Sequence, residues 1–281
     1  MGRIWMSQVV SAIADLGRQY FDRPATRSGM EDARRLCDDL LSDHGEASGT
    51  ALAREVVNLF HSMESADRMA FLQMLNDEFN FDRETLRSAA ETYLAEESQK
   101  AYEALCRTVE APRQELLRRM NTAPGGTAAI LVMREFLLQV IPDHPEMKPL
   151  DADIRHLFTS WFNRGFLQFE RIEWRTAAAI LEKLNAYEAV HEIKGWEDLR
   201  RRLADDRRCF AYFHPALADE PLIFVEVALT NGLADQIQPL LEAQSATDEE
   251  QNPDTAIFYS ISNCQFGLTG ISFGNLLIKQ V

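Results

Sequence analysis

The feature that most limits how this chain can fold is a change of hydrophobic period near residue 165. Before it, apolar residues recur at helical spacing: Leu52, Val56, Leu59, Phe60 and Met63 fall on one face. Met69, Leu72, Leu75 and Phe79 form the next stripe, with Ser65 placed to cap it. Leu86, Ala89, Ala90, Tyr93 and Leu94 form another behind Asp82. Pro112 suits a first helical position, where its missing N–H costs nothing, ahead of Leu116, Leu117 and Met120. Pro124, Gly125 and Gly126 interrupt the pattern, and Thr127 then opens an apolar helix through Ile141 that Pro142 stops. Asp151 or Asp153 opens a further helix carrying Ile154, Leu157, Phe158, Trp161 and Phe162, closed by Gly165. Short polar connections and no fixed-period repeat predict an antiparallel helical bundle, with the Met and aromatic stripes as packing.

After residue 165 the runs become strand-like at 166–172, 209–213, 222–229 and 256–262, with helical stretches at 176–184 and 195–204. Residues 215–220 read as the turn of a hairpin, 244–254 as a polar surface loop, and 273–281 as an apolar helix. The predicted fold is therefore multidomain: an all-α helical bundle over 1–165, then an incomplete α/β unit over 166–281. Incompleteness is expected because the strands are few and the last helix stops without a cap or a following strand. Such a unit would leave an apolar face exposed and prone to aggregate.

Composition narrows the function. With 281 residues and 46% apolar content the chain has ample core material. A net charge of −15 disfavours nucleic acid as a partner. The cluster Arg200, Arg201, Arg202, Arg207 and Arg208 reads as a solvated helix end, the alternative being a local site for a phosphate-rich ligand. Cys37, Cys106, Cys209 and Cys264 lie far apart, and the six histidines show no ligand spacing, so neither a metal nor a disulfide framework is expected. No run reaches the roughly 20 apolar residues of a membrane span, and no secretory leader is visible. Reduced thiols and these absences predict a cytoplasmic protein without a membrane partner.

The segment that carries chemistry is 255–275, an apolar strand, a glycine-bearing turn and a helix. Glycines let backbone approach an anion, and free N–H groups at a helix start bind phosphate oxygens. Gly267, Gly270 and Gly274 fit neither the P-loop nor the dinucleotide-binding spacing. The turn thus reads either as a pyrophosphate cradle or as a tight strand–helix connection that needs glycine only for its geometry.

Gln265, Gly267 and Gly270 after an apolar strand resemble, one residue out of register, the pyrophosphate loop of the Gcn5-related acetyltransferase fold. The wider context resembles the malonyl-CoA decarboxylase family. Ser160-Trp161-Phe162-Asn163-Arg164-Gly165-Phe166-Leu167, Ala189-Val190-His191, Arg207-Arg208-Cys209, Glu220-Pro221-Leu222, Val227-Ala228-Leu229-Thr230, the strand at 256–262, and Gly274 with Leu277-Ile278-Lys279 occur in that family's order. The resemblance is clearest over 150–281. It implies a helical domain used in oligomer contacts, followed by an acetyltransferase-like domain that converts malonyl-CoA to acetyl-CoA and carbon dioxide. No metal or separate cofactor is implied, because CoA is part of the substrate. Carried over by position, Thr269, Gly270, Ile271, Ser272, Phe273, Gly274 and Asn275 would hold the CoA phosphates, with Gly267 and Leu268 at the same turn. Ser260 would lie near the acyl carbonyl, its structural alternative being a strand hydroxyl bonded to backbone.

Loss of carbon dioxide from a malonyl thioester leaves an enolate, which needs hydrogen-bond donors at the thioester oxygen and an acid to protonate carbon. The resemblance assigns that chemistry to a serine and a histidine beyond residue 281, so no catalytic residue is named within the chain. His191 falls in a matching motif but reads as structural. The 281-residue polypeptide alone is accordingly predicted to lack decarboxylase activity and to bind CoA weakly or not at all. Two other readings stay open: a CoA-dependent N-acyltransferase, and a non-catalytic helical self-association module.

Overall fold

The computed structural model describes residues 29–42, 45–241, 252–271 and 274–281. Ser272, Phe273 and most of the 244–254 loop lie outside them. The chain divides into two compact units, Met1–Leu157 and Phe158–Val281.

The first unit is helical: α1 (Gly29–Leu41), α2 (Glu46–Ser62), α3 (Ser65–Asp77), α4 (Arg83–Glu96), α5 (Gln99–Val109), α6 (Pro112–Met120), α7 (Gly126–Val140) and most of α8 (Lys148–Trp161). Helices α1, α2 and α6 pack on one another, and α7 lies against α2, α3 and α6. Their apolar stripes meet in a core that includes Leu40, Phe60, Phe71, Leu75, Leu117 and Ile130. Helices α4 and α5 pack chiefly on each other, and α4 has no buried residue.

Two buried arginines cross-brace this unit. Arg113 Nε lies 2.6 Å from Asp153 Oδ2, and its Nη1 donates to the Asn76 carbonyl at 2.7 Å. Arg134 Nε donates to Asp151 Oδ1 at 2.8 Å. These pairs explain one departure from the sequence reading. Helix α8 starts at Lys148, led in by a 3-10 turn over Pro145–Met147, so Asp151 and Asp153 are ion-pair partners and not caps. Ser65 likewise opens α3 without capping it; Glu64 holds the cap position and makes no side-chain cap bond. Asp82 does cap α4, accepting from the Thr85 amide at 2.9 Å. Helix α7 begins at Gly126, whose missing Cβ is required by the Met120 carbonyl. Thr127 instead donates its hydroxyl to Asn121 Oδ1 at 2.7 Å. Gly165 falls past the end of α8, in a 3-10 turn opened by the Asn163 side chain.

The second unit holds one sheet: β1 (Gln168–Ile172), β2 (Arg207–His214), β3 (Leu217–Thr230) and β4 (Thr255–Asn263), in the order β1-β2-β3-β4. All neighbouring strands are antiparallel. Helices α9 (Ala178–Tyr187) and α10 (Trp196–Arg202) fall between β1 and β2 in the chain; α11 (Gln238–Leu241) and α12 (Gly274–Gln280) come later. Helix α9 packs on β3, α10 on β2 and α12 on β3. Residues 221–228 of β3 are all buried, as expected of a strand covered on both faces. One face gathers Ile172, Leu181, Leu184, Leu199, Ala211 and Phe224 into a core. The β2–β3 turn is tighter than the sequence suggested: His214 already pairs with Leu217, so only Pro215 and Ala216 lie outside the strands.

The arginine cluster is a solvated helix end only in part: Arg200 is exposed, whereas two of its members are buried. Arg202 and Arg207 are 2% and 4% exposed. Arg207 reaches Asp206 Oδ2 at 2.7 Å and the Leu240 carbonyl at 2.6 Å. Arg201 forms a two-pronged pair with Asp206 at 2.6 and 2.8 Å. Arg200 sits over the Trp174 ring. Burial here selects arginine because its fork can serve several acceptors at once.

Candidate functional site

Strand β4 delivers the chain into the glycine-bearing turn. The Cys264 amide still pairs with the Leu222 carbonyl at 3.0 Å, and Gln265 Nε2 donates to the Pro221 carbonyl at 3.3 Å, holding the exit of β4 against β3. A 3-10 turn over Phe266–Leu268 follows. The amides of Leu268, Thr269 and Ile271 close on the carbonyls of Gln265, Phe266 and Leu268, and Thr269 Oγ1 donates to the Phe266 carbonyl at 2.6 Å. Gly270 adopts φ 82°, a left-handed conformation that glycine takes without strain. Gly267 and Leu268 are buried, whereas Thr269 and Gly270 are exposed at the crown of the turn. Gly274 and Asn275 begin α12. Of the residues singled out from sequence, Gly267 to Ile271 thus form one compact turn, Gly274 and Asn275 start the helix after it, and Ser272 and Phe273 lie outside the described residues.

Ser260 sits apart from that turn, within β4 and 2% exposed. Among the described residues its hydroxyl partners are side chains and not backbone. It donates to the Glu188 carboxylate, with Oγ 2.7 Å from Oε1 and 2.9 Å from Oε2. Ser262 donates to Oε2 at 2.8 Å. The Val190 and His191 amides donate to Oε1 at 3.0 and 2.8 Å. Four donors therefore converge on one carboxylate that is only 8% exposed, which is what a buried anion requires.

A second buried carboxylate lies next door. Glu226 pairs with Ser260 across β3–β4 and with Cys209 across β2–β3. A bulge follows at once, since Val227 pairs with Phe258 and leaves Tyr259 without a strand partner. Glu226 is 1% exposed and accepts from Arg202 Nη1 at 2.9 Å. Arg202 also reaches Asp198 Oδ1 at 3.2 Å and the His191 carbonyl at 2.8 Å. Burial raises the Glu226 carboxyl to about 7, against the opposing pull of Arg202, and the charge of Glu188 raises it further. Burial likewise lifts the Cys209 and Cys264 thiols and the Tyr259 phenol, with negative neighbours adding to each. These thiols are inert packing groups.

His191 is half-buried, with its Nε2 enclosed and lacking a hydrogen-bond partner among the described residues. Its backbone carbonyl serves Arg202. No group of three or more His, Cys, Asp or Glu among the described residues is arranged to hold a metal. A surface cavity of about 260 Å³ is lined by Glu182, Asn185, Gly195, Trp196 and Leu199, none of which belongs to the turn. Sequence reading missed Glu188, Arg202 and Glu226 as a polar cluster. One signal was present: Glu226 is a lone acid inside the apolar run 222–229.

A family model described as malonyl-CoA decarboxylase C-terminal domain matches residues 165–281, and one described as the N-terminal domain matches residues 79–162. The mitochondrial malonyl-CoA decarboxylase of Anser anser anser is 31% identical over 242 residues, covering 81% of this chain and 48% of that protein. The Rattus norvegicus protein of the same name is 31% identical over 232 residues, covering 78% and 47%. The chain thus spans about half the length of these two relatives. Crystal structures of malonyl-CoA decarboxylase from Rhodopseudomonas palustris and Agrobacterium vitis superpose with TM-scores of 0.80 and 0.84, each at 51% identity. The first covers 91% of this chain and 62% of its own, the second 89% and 61%. With both domain models matched in order and the fold shared at this identity, the chain belongs to the malonyl-CoA decarboxylase family.

Proposed function

We propose that the protein carrying these residues converts malonyl-CoA to acetyl-CoA and carbon dioxide, and that this chain supplies the CoA-phosphate side of the site. The observation that carries the reading is the turn after β4. Its crown, Thr269 and the left-handed Gly270, is exposed between a strand end and a helix start, inside the segment matched by the C-terminal-domain model. At Gly270 no side chain screens the backbone, which suits a pyrophosphate. Ser272, Phe273, Gly274 and Asn275 complete the proposed contact, while the buried Gly267 and Leu268 and the internally bonded Ile271 amide shape the turn. CoA belongs to the substrate, and the reading requires no metal or separate organic cofactor.

The helical part is proposed to join copies of the protein. Leu94, Tyr102 and Val109 on the α4–α5 hairpin are 74%, 50% and 55% exposed, apolar side chains that a second copy would cover. Four unpaired cysteines suit a reducing compartment, in keeping with a cytoplasmic location. Among the described residues no helix is long and apolar enough to cross a membrane.

The test is to express the complete reading frame that contains residues 1–281 and to incubate the product with malonyl-CoA, with and without amine acceptors. Carbon dioxide and acetyl-CoA in equal amounts are expected. Acyl-amine without carbon dioxide would replace the reading by an acyltransferase. Light scattering of the same product reads the assembly, and a strict monomer would remove the oligomer proposal.

A further inference from the structure

We propose that Glu188 is a positioning residue of the CoA site, acting through Ser260 and Ser262 to set where β4 delivers the turn over Phe266–Leu268. The proposal rests on the reading of that turn as a CoA site.

The two oxygens of Glu188 carry overlapping tasks, since Ser260 Oγ also lies 2.7 Å from Oε1. Oε1 takes the Val190 and His191 amides and so folds the segment after α9 onto its own carboxylate. Oε2 faces Ser262 at 2.8 Å and Ser260 at 2.9 Å and so ties that segment to β4, 72 and 74 residues away. Each serine has one hydrogen, and each has it within reach of Glu188. The Ala189 amide adds a donor to Ser262 Oγ at 3.4 Å. The tie lies directly upstream of the turn: Ser262 is followed by Asn263, Cys264 and Gln265, and the 3-10 turn starts at Phe266. The tie grips β4 just on the turn side of the bulge at Tyr259, where Ser260–Asn263 pair regularly with Glu226–Ile223. A charge-assisted link there adds a side-chain anchor to the main-chain ladder between the bulge and the turn.

The two tasks allow a selective test. In Glu188→Gln the amide oxygen must occupy the Oε1 position, because two backbone N–H groups point there. The new NH₂ then replaces Oε2 and faces two hydroxyls as a donor. The local turn after α9 and the Ser260 bond to Oε1 survive, while the bond direction toward Ser262 is reversed. Glu188→Gln, the double variant Ser260→Ala/Ser262→Ala and the triple variant are made in the product of the complete reading frame. For each, the Kd for CoA, the KM and kcat for malonyl-CoA, and the thermal midpoint are measured.

Glu188→Gln is expected to raise Kd and KM about tenfold, the size of one charge-assisted hydrogen bond, with kcat within about twofold of the parent. In the Ser260→Ala/Ser262→Ala background the same change is expected to alter Kd by less than about twofold, because the partners it acts through are gone. Unchanged CoA affinity overturns the proposal, whether or not the melt moves. So does an equal factor in both backgrounds, or a fall in kcat with Kd unmoved. If the unsubstituted protein neither binds CoA nor releases carbon dioxide, the CoA reading itself falls and takes this inference with it. The other outcomes leave that reading standing.

Discussion

Replacing Glu226 by glutamine should make the second unit more stable above neutral pH, by an amount that grows with pH. The parent carboxyl titrates at about 7 against an unfolded value of 4.5, and burial is the main cause. Its folded-state affinity for a proton is therefore raised. The corresponding stability is complete below about pH 4.5 and is lost as pH climbs through 7. At 1.36 kcal/mol per unit, the loss from this group amounts to about 3 kcal/mol. Glutamine keeps the shape, still accepts from Arg202, and cannot ionise. All other titrating groups are common to both proteins, so the difference between their unfolding free energies isolates Glu226. Urea unfolding followed by tryptophan fluorescence is a suitable assay, because Trp161, Trp174 and Trp196 all lie in the second unit. The advantage of Glu226→Gln over the parent should widen by about 2.5 kcal/mol between about pH 5 and pH 8. A difference that stays flat across that window would refute the reasoning. A variant that grows weaker relative to the parent as pH rises would show that the Arg202 pair outweighs the cost of burying the charge.

Two further changes test the first unit. Arg113→Met removes a 2% exposed guanidinium from Asp153 and the Asn76 carbonyl. A loss of about 3–5 kcal/mol is expected by circular-dichroism denaturation, and a neutral result would mean that the pair contributes nothing net. Gly126→Ala places a Cβ 2.1 Å from the Met120 carbonyl oxygen. Despite alanine's better helix propensity it should cost about 1–3 kcal/mol, and a rise in the melting midpoint would contradict this.

The helices of the first unit were legible because their stripes carry both period and caps; Asp82 shows the two agreeing. Asp151 and Asp153 misled because an acid near a helix start looks the same whether it faces its own amides or an arginine elsewhere in the fold. Arg113 and Arg134 approach from other helices, and spacing along the chain cannot register that. In the second unit each strand was legible from β-branched and aromatic runs, but the short β2–β3 turn was hidden because Asp219 and Glu220 look like loop residues while sitting in β3. The turn at Gly267–Ile271 could be located from its glycines and its preceding strand. Its support by Glu188 could not, since that link joins a segment after α9 to β4 through side chains alone.

The Arg202–Glu226 pair bears on how such a sequence can change over generations. Removing Arg202 leaves the 1% exposed Glu226 without its cation, at about 3–5 kcal/mol, when a whole domain holds only about 5–15 kcal/mol in reserve, whereas removing the acid leaves Arg202 its bonds to Asp198 and the His191 carbonyl. The order of drift is therefore constrained: the acid can change first, and the arginine only after it or once gains elsewhere have widened the margin.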